Sequence, residues 1–186
     1  METIQNKNAN FDINQLVTGL QKEDYRNENI SRNFKIIMWV MAPLYLLISG
    51  MNFILDGPSL DQMGFLFFSM GFLVFGFLFR SLHQDYKSVD YGISTIEMLK
   101  KAAHRYKLWQ TKTYLTIIPS SLIGIATSFG IQDIVPHPDL TIRLLVVFTA
   151  YFAVMSIAFF IGYLIWRYRQ KPLRDKALEL LAEFEK

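Results

Sequence analysis

Charge is absent from four stretches of the chain. Ile36–Leu55, Gln62–Phe79, Thr113–Gln132 and Leu144–Trp166 hold 20, 18, 20 and 23 residues without a single Asp, Glu, Lys or Arg. A helix needs about 20 apolar residues to cross the roughly 30 Å hydrocarbon layer of a bilayer. A buried core helix accounts for one such run, but four in 186 residues leave too little polar chain to cover them. The runs are continuously apolar and lack the in-and-out alternation of a barrel strand. The pattern therefore predicts an all-α fold: a polytopic membrane protein with four transmembrane helices, a four-helix bundle, and cytoplasmic helical extensions. Pro43 and Pro119 lie inside the first and third runs, where neighbouring helices can re-satisfy a freed carbonyl, so kinks are expected there.

The polar remainder divides accordingly. Residues 1–33 read as a cytoplasmic amphipathic segment, with Ile13, Leu16, Val17 and Leu20 as its stripe and Asp12 as a cap. This stretch is polar and partly acidic, unlike a cleavable signal peptide. Residues 34–80 carry the first two spans and 113–166 the last two. The 81–112 connection is too long for a turn and reads as a cytoplasmic helical hairpin. Its first arm continues to about Lys87, Ser88–Gly92 breaks it, and Ser94 with Glu97 matches a capping box. The second arm is expected to run through Trp109 into the third span, rising roughly 27 Å if straight. Ile93, Ile96, Leu99 and Ala103 mark one face and Lys100, Lys101, Arg105 and Lys107 another. An amphipathic helix lying on the headgroups fits the same pattern. Residues 167–186 read as a C-terminal amphipathic helix, with Pro172 in its first turn and Leu173, Ala177, Leu180, Leu181 and Phe184 as the stripe. Such stripes bury against each other or against a partner, and both readings stay open.

Charge sets the orientation. Of 19 Lys and Arg, 18 lie before the first charge-free run, between the second and third (Arg80 included), or after the fourth, and only Arg143 lies in the short loops opposite. The positive-inside bias therefore places both termini in the cytoplasm. Eighteen bases against twelve acids make the inner side +6; one against four makes the outer side −3. The overall +3 follows from this topology and from contact with anionic lipid, and predicts no nucleic-acid partner. Trp39, Trp109 and Trp166 fall near the inner interface, as anchoring aromatics do.

Within the runs, Ser120, Gly124 and Ser128 recur every fourth residue, and so do Ala158 and Gly162. Small residues at that spacing let helix backbones approach, so these five are the predicted helix-packing positions, with Gly64 and Gly71 as a matching surface. The Phe-rich second run is expected to supply packing and lipid-facing bulk. No ionisable residue sits mid-run, which argues against transport. There is no Cys and no phosphate-loop, HExxH or nucleophile-elbow motif. His83 and Asp85 end the second run and His104 lies on the basic helix, but two His at no diagnostic spacing define no metal site. His137 reads as a residue of the outer loop. No catalytic, cofactor or metal residue is predicted.

Tyr91-Gly-Ile-Ser-Thr-Ile-Glu-Met-Leu-Lys-Lys-Ala-Ala-His-Arg-Tyr-Lys-Leu-Trp109, together with Pro172-Leu-Arg-Asp-Lys-Ala-Leu-Glu-Leu-Leu, resembles small uncharacterised bacterial four-span inner-membrane proteins. Some of these are similar to membrane-bound anti-sigma-type regulators. The resemblance covers about a sixth of the chain. It implies a bacterial inner membrane and a regulatory role. The first 33 residues hold no Cys or His, so the zinc signature of one anti-sigma class is absent. The function expected is non-enzymatic: a membrane interaction or regulatory protein acting through its cytoplasmic helices, with a small-molecule or lipid transporter as the alternative. Beyond the lipid bilayer, the expected partner is a cytoplasmic protein or a second copy. Leu99, Ala103, Leu180, Leu181 and Phe184 form the candidate interaction face.

Overall fold

A computed structural model describes residues 2–57, 59–129 and 139–184; for residues 2–12 and for positions 56, 60, 140 and 143 it describes the backbone path alone. All regular structure among the described residues is helical, with no strand. Helix α1 (Glu2–Asp56) is one 55-residue rod. It carries the N-terminal segment and the first charge-free run without interruption, so Asp12 lies inside it and not at its start. It also passes through Pro43 unbroken. Gly57, at φ +76°, turns the chain after α1, a conformation that residues with a side chain rarely adopt. Ser59 then caps α2 (Leu60–Lys87) by accepting the Gln62 N–H at 3.3 Å.

The connection after α2 departs from the hairpin expected. Helix α3 (Thr95–Arg105) starts where the Ser94 hydroxyl accepts the Glu97 N–H, but the Glu97 carboxylate pairs with Lys101 at 2.8 Å, one turn further on. It stops at Tyr106 and does not run into the third charge-free run. The Gln110 amide donates to the carbonyls of Arg105 at 2.5 Å and Lys107 at 3.1 Å, satisfying groups that a continuing helix would have used. Freed of α2, α3 packs on the C-terminal helix.

The third run gives α4 (Thr111–Leu115) and α5 (Ile117–Phe129), and its last residues, 130–132, lie outside the described residues, as does His137. The break has a local cause. Pro119 has no N–H for the Leu115 carbonyl, and the ladder resumes with Ser120 N–H on Thr116 at 3.2 Å. Helix α6 (Leu140–Ile165) holds the fourth run. A π-turn, Trp166–Gln170, joins it to α7 (Lys171–Phe184). Pro172 explains the turn: the helix widens just before it, with the Lys171 N–H reaching back five residues to Trp166. The C-terminal helix is thus the continuation of α6 and does not begin afresh at Pro172.

Among the described residues, three helices are long and apolar enough to cross a membrane: Ile13–Leu55, Asp61–Lys87 and Leu144–Phe184. α1 packs along α2, α2 along α5, and α5 along α6. Aromatic side chains fill the first seam, where Tyr45 meets Phe68 at 5.0 Å and Phe72 at 5.3 Å, and Phe34 stacks on Phe79. Small residues bring the backbones close. Ser69, buried, donates to the Ala42 carbonyl at 2.8 Å, and a Cβ on Gly71 would stand 2.9 Å from Ile123. The head of the molecule lies at the other end of α1. There Leu16 and Leu20 join Met98, Leu99, Ala102, Ala103 and Tyr106 of the α3 region and Ala177, Leu180 and Leu181 of α7 in a single apolar cluster.

Candidate functional site

The buried face of α1 begins apolar and turns polar. Leu16 and Leu20 are followed at helical spacing by Glu23, Asp24, Asn27 and Ser31, all of them buried. A buried carboxylate is tolerated only when paired and hydrogen-bonded, and Asp24 is both. Its Oδ1 accepts the Tyr106 hydroxyl at 2.5 Å, and its Oδ2 accepts from the Tyr91 hydroxyl and the Arg105 guanidinium. Tyr106 ends α3, and its carbonyl accepts the Trp166 indole N–H at 2.9 Å. One residue before Asp24, Glu23 holds Arg26 at 2.7 Å and Arg169 of the π-turn at 3.4 Å. Two adjacent acids on α1 thus bind the 91–106 segment and the chain leaving α6.

The Asn27 amide nitrogen and the Arg26 Nε are buried without a hydrogen-bond partner among the described residues, but Asp24, Tyr91, Arg105 and Tyr106 satisfy one another, which makes the cluster a joint between elements. A buried ion pair is weak evidence for stability, because desolvation offsets much of the Coulomb gain. Its geometric demand is strong, however. Register between α1 and α3 is set where a guanidinium and two phenols must meet one carboxylate.

Burial pushes the Tyr91 and Tyr106 hydroxyls well above their usual value of 10, and the neighbouring Asp24 carboxylate pushes them further, because a phenolate beside it would be repelled. The folded state therefore holds both protons more tightly than the unfolded chain. Their contribution is complete below pH 10 and is lost as pH rises above it, where the unfolded chain gives up its protons first. Thermal unfolding followed by near-ultraviolet circular dichroism is expected to show the head weakening steeply above pH 10, with a shallower slope in Tyr106→Phe.

The residues singled out in the sequence fall in three places. Leu99, Ala103, Leu180 and Leu181 lie together in the head cluster, facing one another and α1, whereas Phe184 is 48% exposed. On α5, Gly124 lies under Tyr151, where a Cβ would meet the ring at 3.0 Å, and the Ser120 carbonyl accepts the Tyr151 hydroxyl. Ser128 turns back on its own helix, donating to the Gly124 carbonyl at 3.0 Å. Among the described residues, nothing packs on Ala158 or Gly162. Both are exposed, and among the described residues nothing comes within 4 Å of a Cβ built on Gly162. They share a helical face with Tyr151, which meets Ser120 and Gly124 of α5, but lie about two to three turns further along α6, beyond that contact.

His83 faces the Glu28 carbonyl at 3.4 Å, and Asp85 is held by Lys112. Among the described residues no three His, Asp or Glu side chains gather as metal ligands. The sequence reading passed over Asp24, Tyr91, Arg105 and Tyr106, although polar residues at core spacing after Leu20 were the available signal. No family model, curated protein or solved structure matches the chain.

Proposed function

We propose that this chain is a four-crossing integral membrane protein with both termini in the cytoplasm of a bacterial inner membrane. It acts there as a non-enzymatic interaction or regulatory protein through its helical head. One observation carries the reading. Residues before the first charge-free run, between the second and third, and after the fourth meet in a single apolar cluster. Groups that touch share one side of a membrane, so an even number of crossings separates them. Three crossings would leave α7 opposite α1 and α3. The helical passage from Thr111 to Phe129 rises roughly 28 Å, enough to supply the fourth. The excess of Lys and Arg in these same segments supports the cytoplasm as that side.

The head is rigidly continuous with the spans, since α1 passes from one to the other without a break and α7 follows α6 through a π-turn. A change in how the spans pack is thereby felt in the head, and the reverse, which is what a membrane-embedded regulatory subunit needs. With Leu99, Leu180 and Leu181 covered by the chain itself, Phe184 is the member of the apolar stripe left for a partner. Affinity capture of the full-length protein in mild detergent tests this. A protein partner or second copy is expected to be retained by the native chain and lost from Phe184→Asp at unchanged melting temperature. If the native chain captures nothing and forms no oligomer, and Phe184→Asp leaves the cells unaffected, the reading fails.

A further inference from the structure

Beside the head, the end of α2, the exposed side of α3 and the 107–112 segment enclose a cavity of about 810 Å³. Five bases line it, Lys100, Lys101, Arg105, Lys107 and Lys112, against two acids, Asp85 and Asp90. Both acids are already engaged within the chain. Asp85 holds Lys112, and Asp90 accepts the Gly92 N–H at 2.7 Å. Arg105 is likewise committed to Asp24, and Lys101 to Glu97 at 2.8 Å. Lys107 is different: it is exposed, and among the described residues it has no carboxylate partner. The cavity thus offers surplus positive charge to whatever enters.

One wall is apolar, formed by Val89, Ile93, Met98 and Trp109. Trp109 is half-exposed, stacks on Tyr114 at 5.6 Å and approaches Phe159 at 6.1 Å. Tyr114 and Phe159 belong to charge-free runs, and Lys112 immediately precedes one. The cavity therefore opens where the apolar runs begin, at the depth of a bilayer's headgroup layer. From this arrangement we propose that the cavity binds a phosphate ester, and that its source is the headgroup of an anionic glycerophospholipid. Lys107 pairs with the phosphate oxygens, while Trp109 covers the glycerol and the start of the acyl chains. The lipid source rests on the four-crossing reading above; the phosphate chemistry does not.

The test titrates the full-length protein, in zwitterionic detergent micelles, with short-chain phosphatidylglycerol, short-chain phosphatidylcholine, glycerol phosphate and inorganic phosphate, with calorimetry as the readout. Saturable binding of the phosphatidylglycerol is expected, about tenfold tighter than of the phosphatidylcholine. Lys107→Glu is expected to weaken it by about tenfold through charge reversal at the site. Lys22→Glu, the same charge change on an exposed part of α1, is expected to leave it unaltered. Equal binding of the two lipids, or equal loss in both variants, overturns the site in favour of diffuse attraction. Glycerol phosphate or inorganic phosphate binding as tightly as the lipid overturns the lipid source and keeps the phosphate site. Labelling of Gln84→Cys in intact cells by a membrane-impermeant maleimide separates the two failures. Labelling overturns the cytoplasmic side and with it the inner-leaflet source, whereas protection together with absent binding in micelles overturns the cavity alone.

Discussion

Arg105→Met is expected to destabilise the head by about 3–5 kcal/mol, the range seen when one member of a buried ion pair is removed. Asp24 is only 3% exposed, so its carboxylate cannot exchange the guanidinium for water. Tyr91 and Tyr106 would still donate to it, but neither carries a charge. The chain must then expose Asp24 or protonate it, and either loosens α3 from α1. Thermal unfolding in micelles, followed by protease cleavage within 91–106, measures the loss. Removing both charges in Asp24→Leu with Arg105→Met is expected to recover much of it, because the buried charge goes as well. Recovery stops short of the native value by about 1–3 kcal/mol, since the two phenols lose their acceptor. If Arg105→Met alone stays within about 0.5 kcal/mol of native, as a surface change does, water reaches Asp24 and the joint is not closed.

The long apolar helices were legible because apolar runs of lipid length depend on composition alone, and composition is local. Three of the four appear as long apolar helices, and the third is divided only where Pro119 removes one donor. The end of α2 at Lys87 and the Ser94 cap were equally local and equally readable. The head was not. Its stripes could be seen, but which stripe meets which depends on contacts between residues about eighty positions apart, such as Asp24 with Arg105. The expected run of α3 into the third charge-free run failed for a related reason. Helical propensity favours continuation, while the Trp166 indole on the Tyr106 carbonyl and the Gln110 amide on the Arg105 carbonyl terminate it from outside the local pattern. Ala158 and Gly162 carried the same small-residue spacing as Ser120 and Gly124, yet only the α5 set meets another helix, because spacing identifies a surface without naming its neighbour.

Leu99→Ala is the second substitution with a large expected effect, about 2–5 kcal/mol for a leucine truncated in a closed core. Leu99 has no exposed surface and lies in the cluster shared by α1, α3 and α7. The cavity left behind cannot collapse freely, because the Asp24 joint holds α3 on α1 from one end while α7 is tied to α6 through the π-turn at the other. For the same reason the loss should not simply add to that of Arg105→Met. Once the joint is released, α3 can shift to fill part of the cavity, and the double variant is expected to lose less than the two singles together. Phe184→Asp, on an exposed side chain at the end of α7, belongs to the other class and is expected within about 0.5 kcal/mol of native. Melting temperature and partner capture, measured on both single variants, separate packing from docking. A Leu99→Ala protein that melts like the native one but no longer retains its partner would mean that the α3–α7 seam opens in solution, and would make Leu99 part of the docking face and not of the core.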